Sequence, residues 1–250
     1  MSTQMVFSRI EKKYLIPADR FEAFRSELDK YMISDEFASY TIRNIYFDTP
    51  DYAFIRTSLS KPVYKEKFRL RTYGAPDDVS APVFAEVKKK YKGVVTKRRC
   101  DMTRAEAEAL LADTEHYVFP TDSQRWREIA WLFQSRKPQP MVYLAYDRVA
   151  LKGREDSELR ITFDRNLRWR NTDLSFHSAD AGAICGNENI LMEIKFPLAS
   201  PLWLAHLLTK YELYPTSFSK YGECYKRYLS NFEGKIIPMD TARKELAAYA

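Results

Sequence analysis

Charged and apolar positions alternate with a period of two in one segment after another. In residues 64 to 73, Lys65, Lys67, Arg69 and Arg71 fall on one side, and Glu66, Phe68, Leu70 and Thr72 on the other. That spacing predicts a β-strand, whose successive side chains point to opposite faces. The same alternation predicts strands over 7–16, with Arg9, Glu11 and Lys13 on one face, and over 83–90, with Glu86, Lys88 and Lys90 together. It recurs over 157–164, where Glu158, Arg160, Thr162 and Asp164 share a face, and over 190–196, where Glu193 and Lys195 do. Further strands are expected over 41–48, 94–100 and 141–151. Elsewhere the apolar spacing turns helical: Phe21, Phe24, Leu28 and Tyr31 after Pro17, and Trp126, Ile129, Ala130 and Phe133 within 122–136. Ser200 and Pro201 open a helix through Tyr211, and Thr103 with Glu106 forms a capping box before a helix through Leu111. Residues 51–58 read as a short helix or turn, 165–189 as a short strand and a loop, and 217–232 as a last long helix. No repeat or linker interrupts the chain, so one domain is expected over 1–234, with a tail over 235–250.

Two architectures suit strands that are charged on one face and apolar on the other. An open sheet would leave the charged faces in water and pack the apolar faces on helices. A closed barrel would turn the charged faces inward, where unpaired cationic rows need carboxylates, ordered water or a polyanion. From the pattern alone the two stand even. Lys13, Lys65, Lys67, Arg69, Arg71, Lys88, Lys90, Lys97, Arg148, Arg160 and Lys195 supply the cations, and Glu11, Glu86, Glu158, Asp164 and Glu193 the carboxylates.

Composition narrows the partners. The chain of 250 residues carries a net charge of +6, and residues 84–104 concentrate the excess around Glu86 and Asp101, which fits an anionic partner. Seventeen Tyr and 15 Phe suit a β-rich core. Cys100, Cys185 and Cys224 have no metal-ligand spacing, which reads as a reduced, cytoplasmic chain. No apolar run is long enough for a membrane span. His116, His177 and His206 are scattered, so no histidine triad or zinc site is expected. Lys89, Lys92, Arg98 and Arg99 read as surface charges, and Glu66 as structural.

Arg9-Ile10-Glu11-Lys12-Lys13-Tyr14 resembles the N-terminal Glu-x-Glu-x-Lys motif of the triphosphate tunnel metalloenzymes, the CYTH superfamily. More closely, the chain resembles the VTC domain, the polyphosphate polymerase branch. The likeness runs in order through Phe68-Arg69-Leu70-Arg71-Thr72-Tyr73-Gly74, Glu86-Val87-Lys88, Thr96-Lys97-Arg98-Arg99, Tyr146-Asp147-Arg148, Leu159-Arg160-Ile161, Met192-Glu193-Ile194-Lys195 and Ser217-Phe218-Ser219-Lys220-Tyr221. Two positions depart from it: Arg9 replaces the first Glu, and Ser217 stands where the fungal pattern has Lys.

The resemblance implies an α+β fold, an antiparallel β-barrel tunnel with flanking helices. It implies transfer of the ATP γ-phosphoryl group onto a growing polyphosphate chain, with manganese or magnesium. By motif position, Lys13, Lys67, Arg69, Arg71, Lys88, Lys97, Arg148, Arg160, Lys195, Ser219 and Lys220 would bind phosphate. Glu193, Arg69, Arg71, Lys88, Arg160 and Lys220 would carry catalysis, with Glu193 and Glu11 on the metal. Phosphate is already an anionic acceptor, so polymerisation needs no general base, whereas hydrolysis would need a water held by Glu11 or Glu86. The expected partners are ATP and polyphosphate or another oligophosphate. The alternatives are a tripolyphosphatase or nucleoside triphosphatase, a non-catalytic polyphosphate-binding module and, more weakly, RNA binding, for which no nucleic-acid motif is present.

Overall fold

A computed structural model describes residues 10–178, 182–185 and 188–230. Arg9 and the rest of the expected first strand before Ile10, the end of the expected last helix and the tail over 235–250 lie outside the described residues. The strands are β1 (Ile10–Pro17), β2 (Met32–Asp48), β3 (Tyr64–Thr72), β4 (Val83–Tyr91), β5 (Val94–Met102), β6 (Gln139–Gly153), β7 (Arg160–Arg170), β8 (Ala183–Ile184) and β9 (Asn189–Phe196). The helices are α1 (Ala18–Leu28), α2 (Ala53–Leu59), α3 (Arg104–Ala112), α4 (Gln124–Arg136), α5 (Leu202–Lys210) and α6 (Lys220–Cys224), the last continuing as a π-helical turn, Tyr225–Leu229.

The fold is α+β, and the β1–β9, β2–β3, β3–β4, β4–β5, β7–β8 and β7–β9 pairs are antiparallel. The strands hydrogen-bond in the order β1-β9-β7-β6-β2-β3-β4-β5, with β8 on β7. This corrects the expected barrel. The order has two ends, β1 and β5, and no pairing joins them among the described residues, so the sheet is not closed. Alternation reports which face a side chain takes, but closure depends on whether the terminal strands meet, which no local pattern encodes.

The chain divides into two compact units. The first takes residues from Met1–Tyr40, Tyr146–Leu167 and Gly186–Phe218; the second from Thr41–Ala145, Arg168–Cys185 and Ser219–Ala250. In the first, α1 buries Phe21, Phe24 and Leu28, and α5 buries Leu204 and Leu207, in a core with Ile16, Ile161, Phe163 and Ile194. Phe21 meets Phe163 edge to face with ring centroids 5.2 Å apart. In the second, Phe68, Leu70, Val83, Ala85 and Val87 from the β3–β4 ladder pack with Ile129, Leu132 and Phe133 of α4. Phe68 is fully buried, and its replacement by Ala is expected to cost about 3–5 kcal/mol.

Local chemistry explains several boundaries. The Thr103–Glu106 capping box forms as expected, and Ser123 Oγ accepts from the Trp126 amide at the start of α4. Asp48, at the end of β2, accepts from the amides of Phe54 and Ile55 at 2.7 and 3.0 Å and thereby starts α2. The expected long last helix is shortened at its start. The Thr216 amide donates to the Lys13 carbonyl at 2.7 Å, which holds that stretch against β1, and the helix begins only after Ser219, whose hydroxyl accepts from the Gly222 amide. β2 also starts nine residues earlier than the alternation suggests, at Met32 rather than Thr41. One of its polar residues, Asp35, is taken up by Arg160 at 3.6 Å.

Candidate functional site

Each unit carries its own cluster of charge on the sheet. In the second unit, strand register stacks the charged rows of β3, β4 and β5 into rungs. Arg69 faces Glu86, and Glu86 faces Arg99; one rung along, Lys67 faces Lys88, and Lys88 faces Lys97. Directly opposed side chains in an antiparallel pair sit about 5 Å apart, so like charges there repel. A rung of three lysines therefore calls for negative charge beside it, part of which Glu86 supplies through Lys97 at 2.9 Å.

Glu86 is the hub beside that rung. Its carboxylate, 2% exposed, receives Arg69 at 2.7 Å, Lys97 at 2.9 Å, Arg99 at 3.0 Å and Arg71 at 3.8 Å. Burial alone would raise its pKa, but Arg69, Arg71 and Lys97 outweigh burial and hold it far below the usual carboxylate range. Glu86 is thus held ionised and spaces the arginines around it.

Further groups brace the arginines. Arg69 donates to the Tyr46 hydroxyl at 2.9 Å, and Arg71 to Asn44 Oδ1 at 2.9 Å; Asn44 in turn donates to the Leu144 carbonyl at 3.0 Å. Burial would raise the Tyr46 phenol, yet Arg69, Arg71 and Lys67 pull it down to about 8. Tyr46 stacks on Tyr221, whose hydroxyl donates to Asp48 at 2.9 Å. Lys67 Nζ donates to Ser219 Oγ at 3.0 Å, so the cap of α6 also holds a member of the lysine rung. Lys220 opens α6.

In the first unit each rung contains a carboxylate as well as a cation. Lys13 faces Glu193, and Glu193 faces Thr162; Glu11 faces Lys195, and Lys195 faces Arg160. Lys13 Nζ lies 3.2 Å from Glu193 and 3.9 Å from Glu11, so two carboxylates converge on one ammonium, which also donates to the Phe218 carbonyl at 3.1 Å. Lys195 lies 3.7 Å from Glu11. Arg148 forks onto Asp164 at 2.6 and 2.7 Å and reaches Glu193 at 3.7 Å. The Thr162 hydroxyl, opposite Glu193, is buried and has no hydrogen-bond partner.

The sequence-derived residues therefore fall into two groups. Lys67, Arg69, Arg71, Lys88, Lys97, Ser219 and Lys220 belong to the second unit, and Glu11, Lys13, Arg148, Arg160, Glu193 and Lys195 to the first. Arg99 was missed. It reads as a surface charge in the sequence, yet it holds Glu86, donates to the Tyr73 hydroxyl at 2.9 Å and lies 3.9 Å over the Phe84 ring. Period two from Lys97 places it on that face, and this was the available signal. Tyr46 and Asn44 gave none, because only register brings them to the arginines. Arg98 and Lys89 do lie apart from the rungs, both on Glu128, and Glu66 is structural, taking the Tyr64 hydroxyl and Arg136.

An α+β chain whose mostly antiparallel sheet carries lysine, arginine and carboxylate side chains in rungs is the class these features define. The family model described as the VTC domain matches residues 8–229, and the chain belongs to that family. Among curated proteins no sequence matches it. A solved structure, that of the PH1819 protein from Pyrococcus horikoshii OT3, is similar at a TM-score of 0.44 and 11% identity, over 87% of this chain and 98% of that one. No helix among the described residues is long and apolar enough to cross a membrane.

Proposed function

We propose that this chain is a polyphosphate polymerase that transfers the γ-phosphoryl group of ATP onto a polyphosphate chain. Family membership supports the polyphosphate class. The observation that carries the reading is the Lys67–Lys88–Lys97 rung beside a buried, multiply paired Glu86. Three lysines in one rung, with Glu86 reaching Lys97, set a row of positive charge that suits a ligand with several linked negative charges. Arg69, Arg71 and Lys220, with Ser219, complete the phosphate-binding set in that unit. The arginines present flat forks to phosphate oxygens, and the lysines act as point charges. Phosphoryl transfer asks mainly for positioning and charge neutralisation, which such a row supplies.

The family also implies a divalent metal. Glu11 and Glu193 suit it: two carboxylates already converge on one cation, Lys13, and the orphaned Thr162 hydroxyl faces Glu193. No group of three or more ligating side chains exists among the described residues. Magnesium or manganese would take one or two carboxylates and complete its shell with water and substrate oxygens. When bound, such an ion would neutralise phosphate oxygens. Lys13, Lys195 and Arg160 would then meet phosphate in the first unit, and Arg148, forked on Asp164, would hold Glu193 in place.

The test is ATP with manganese, with and without a short polyphosphate primer, resolved on a gel. Long chains with ADP support the proposal. Free phosphate without chains would replace it with a hydrolase, and tight polyphosphate binding without turnover with a binding module.

A further inference from the structure

The β4–β5 hairpin closes through Lys92 and Gly93, both at positive φ, 45° and 87°. Two left-handed residues between paired strands make a tight type I′ connection, so the tip is a short, rigid projection. Five large apolar residues collect at this end of the β3–β4–β5 meander and are exposed: Val63, Tyr64, Tyr91, Val94 and Val95, with Val94 at 69%. Register sets them side by side, Tyr64 facing Tyr91 and Tyr91 facing Val94. Val95 faces Lys90 on the opposite side of the ribbon. The apolar groups therefore emerge from both faces of the tip, where a one-sided protein contact would need only one.

The exposed charge around them is mostly positive, since the one nearby carboxylate, Glu66, is buried and takes the Tyr64 hydroxyl and Arg136. Lys61, Lys65, Lys90 and Lys92 flank the tip, and no ion pair joins Lys61, Lys90 or Lys92 to a carboxylate among the described residues. The pKa of Lys65 is lowered by burial and then by Lys90 and Lys61, a sign of cations crowded together. Lys92 Nζ lies 5.5 Å over the Tyr91 ring.

We propose that this hairpin tip docks on an anionic lipid surface. Tyr91 and Val94 on one face and Val95 on the other suit shallow burial at the interface, where the environment surrounds the tip. Tyrosine is favoured at headgroup level, and lysines can keep their ammonium groups among anionic headgroups while their stems lie on apolar surface. Each such lysine contributes about 1 kcal/mol near a negatively charged leaflet, roughly fivefold in affinity, and the contribution is weakened by salt.

The experiment is flotation of the full chain with vesicles of phosphatidylcholine alone and of phosphatidylcholine with about a third phosphatidylserine, a composition chosen for strong surface charge. The chain is expected to float with the anionic vesicles only, and less at high salt. Lys90→Gln with Lys92→Asn should lower binding at least about tenfold. Asn is favoured at the first position of this turn, so the hairpin is retained. As a second readout, Val94→Trp should add blue-shifted emission with anionic vesicles and none with neutral ones. Flotation unaffected by the lysine pair, no flotation at all, or an unshifted Val94→Trp signal would each overturn the proposal. A concentration-dependent dimer abolished by the same lysine pair would overturn it in favour of self-association.

Discussion

The two charged clusters are built from the same materials and differ in their balance. In the second unit the carboxylate of Glu86 holds Arg69, Arg71, Lys97 and Arg99 together, and the adjoining rung is all lysine. In the first, Glu11, Glu193 and Asp164 are interleaved with Lys13, Arg148 and Lys195. A cation-rich rung favours an anion, whereas a cluster with carboxylates among its cations largely neutralises itself. The difference arises from which residues face each other across the ladder. Both kinds of strand look alike when read singly.

The sharpest way to break this contrast is to remove each hub. Glu86→Gln leaves four cations around a neutral, buried amide, and loss of one partner of a buried ion pair is expected to cost about 3–5 kcal/mol. Thermal melts should show the loss, and added tripolyphosphate should recover more stability in this variant than in the parent. The pH dependence follows the same logic. The folded pKa of Glu86 is lowered below its ordinary 4.5, so its contribution is complete above that value and is lost as pH falls below it toward the folded one. Acid melts of Glu86→Gln should therefore be flatter than those of the parent.

Glu193→Gln is expected to abolish metal-dependent turnover, by roughly a hundredfold or more, while polyphosphate binding is largely kept. Metal titration of the rate checks it. Equal turnover in the variant would remove Glu193 from the mechanism, and a Glu86-sized stability loss would erase the contrast between the clusters. Lys97→Met should weaken tripolyphosphate binding about tenfold by calorimetry, one charge-assisted contact being worth about 1.4 kcal/mol or slightly more. Stability should change little, because Arg69 and Arg99 still hold Glu86.

The smallest effect is spectroscopic. Phenolate absorbance should reveal one tyrosine titrating near pH 8, lost in Tyr46→Phe. A folded pKa lowered from 10 to about 8 adds stability as pH rises from the lower value toward the higher. Bound tripolyphosphate should push that titration upward, because it draws on the same arginine and lysine charges. A titration insensitive to the ligand would place Tyr46 apart from the phosphate-binding face.

Much of this protein was legible in the order of its residues. Period two placed Lys65, Lys67, Arg69 and Arg71 on one face and Phe68 and Leu70 in a core, because side-chain direction in a strand is a local property. The Thr103–Glu106 box and the apolar stripe of α4 were equally local. Tertiary structure alone decided that no pairing joins β1 to β5 among the described residues, that three lysines share a rung, and that Arg99 and Tyr46 join Glu86 and Arg69. Those outcomes depend on register and on which strand ends meet. Both are set by contacts between residues far apart in the chain, and no alternation within a single strand records them.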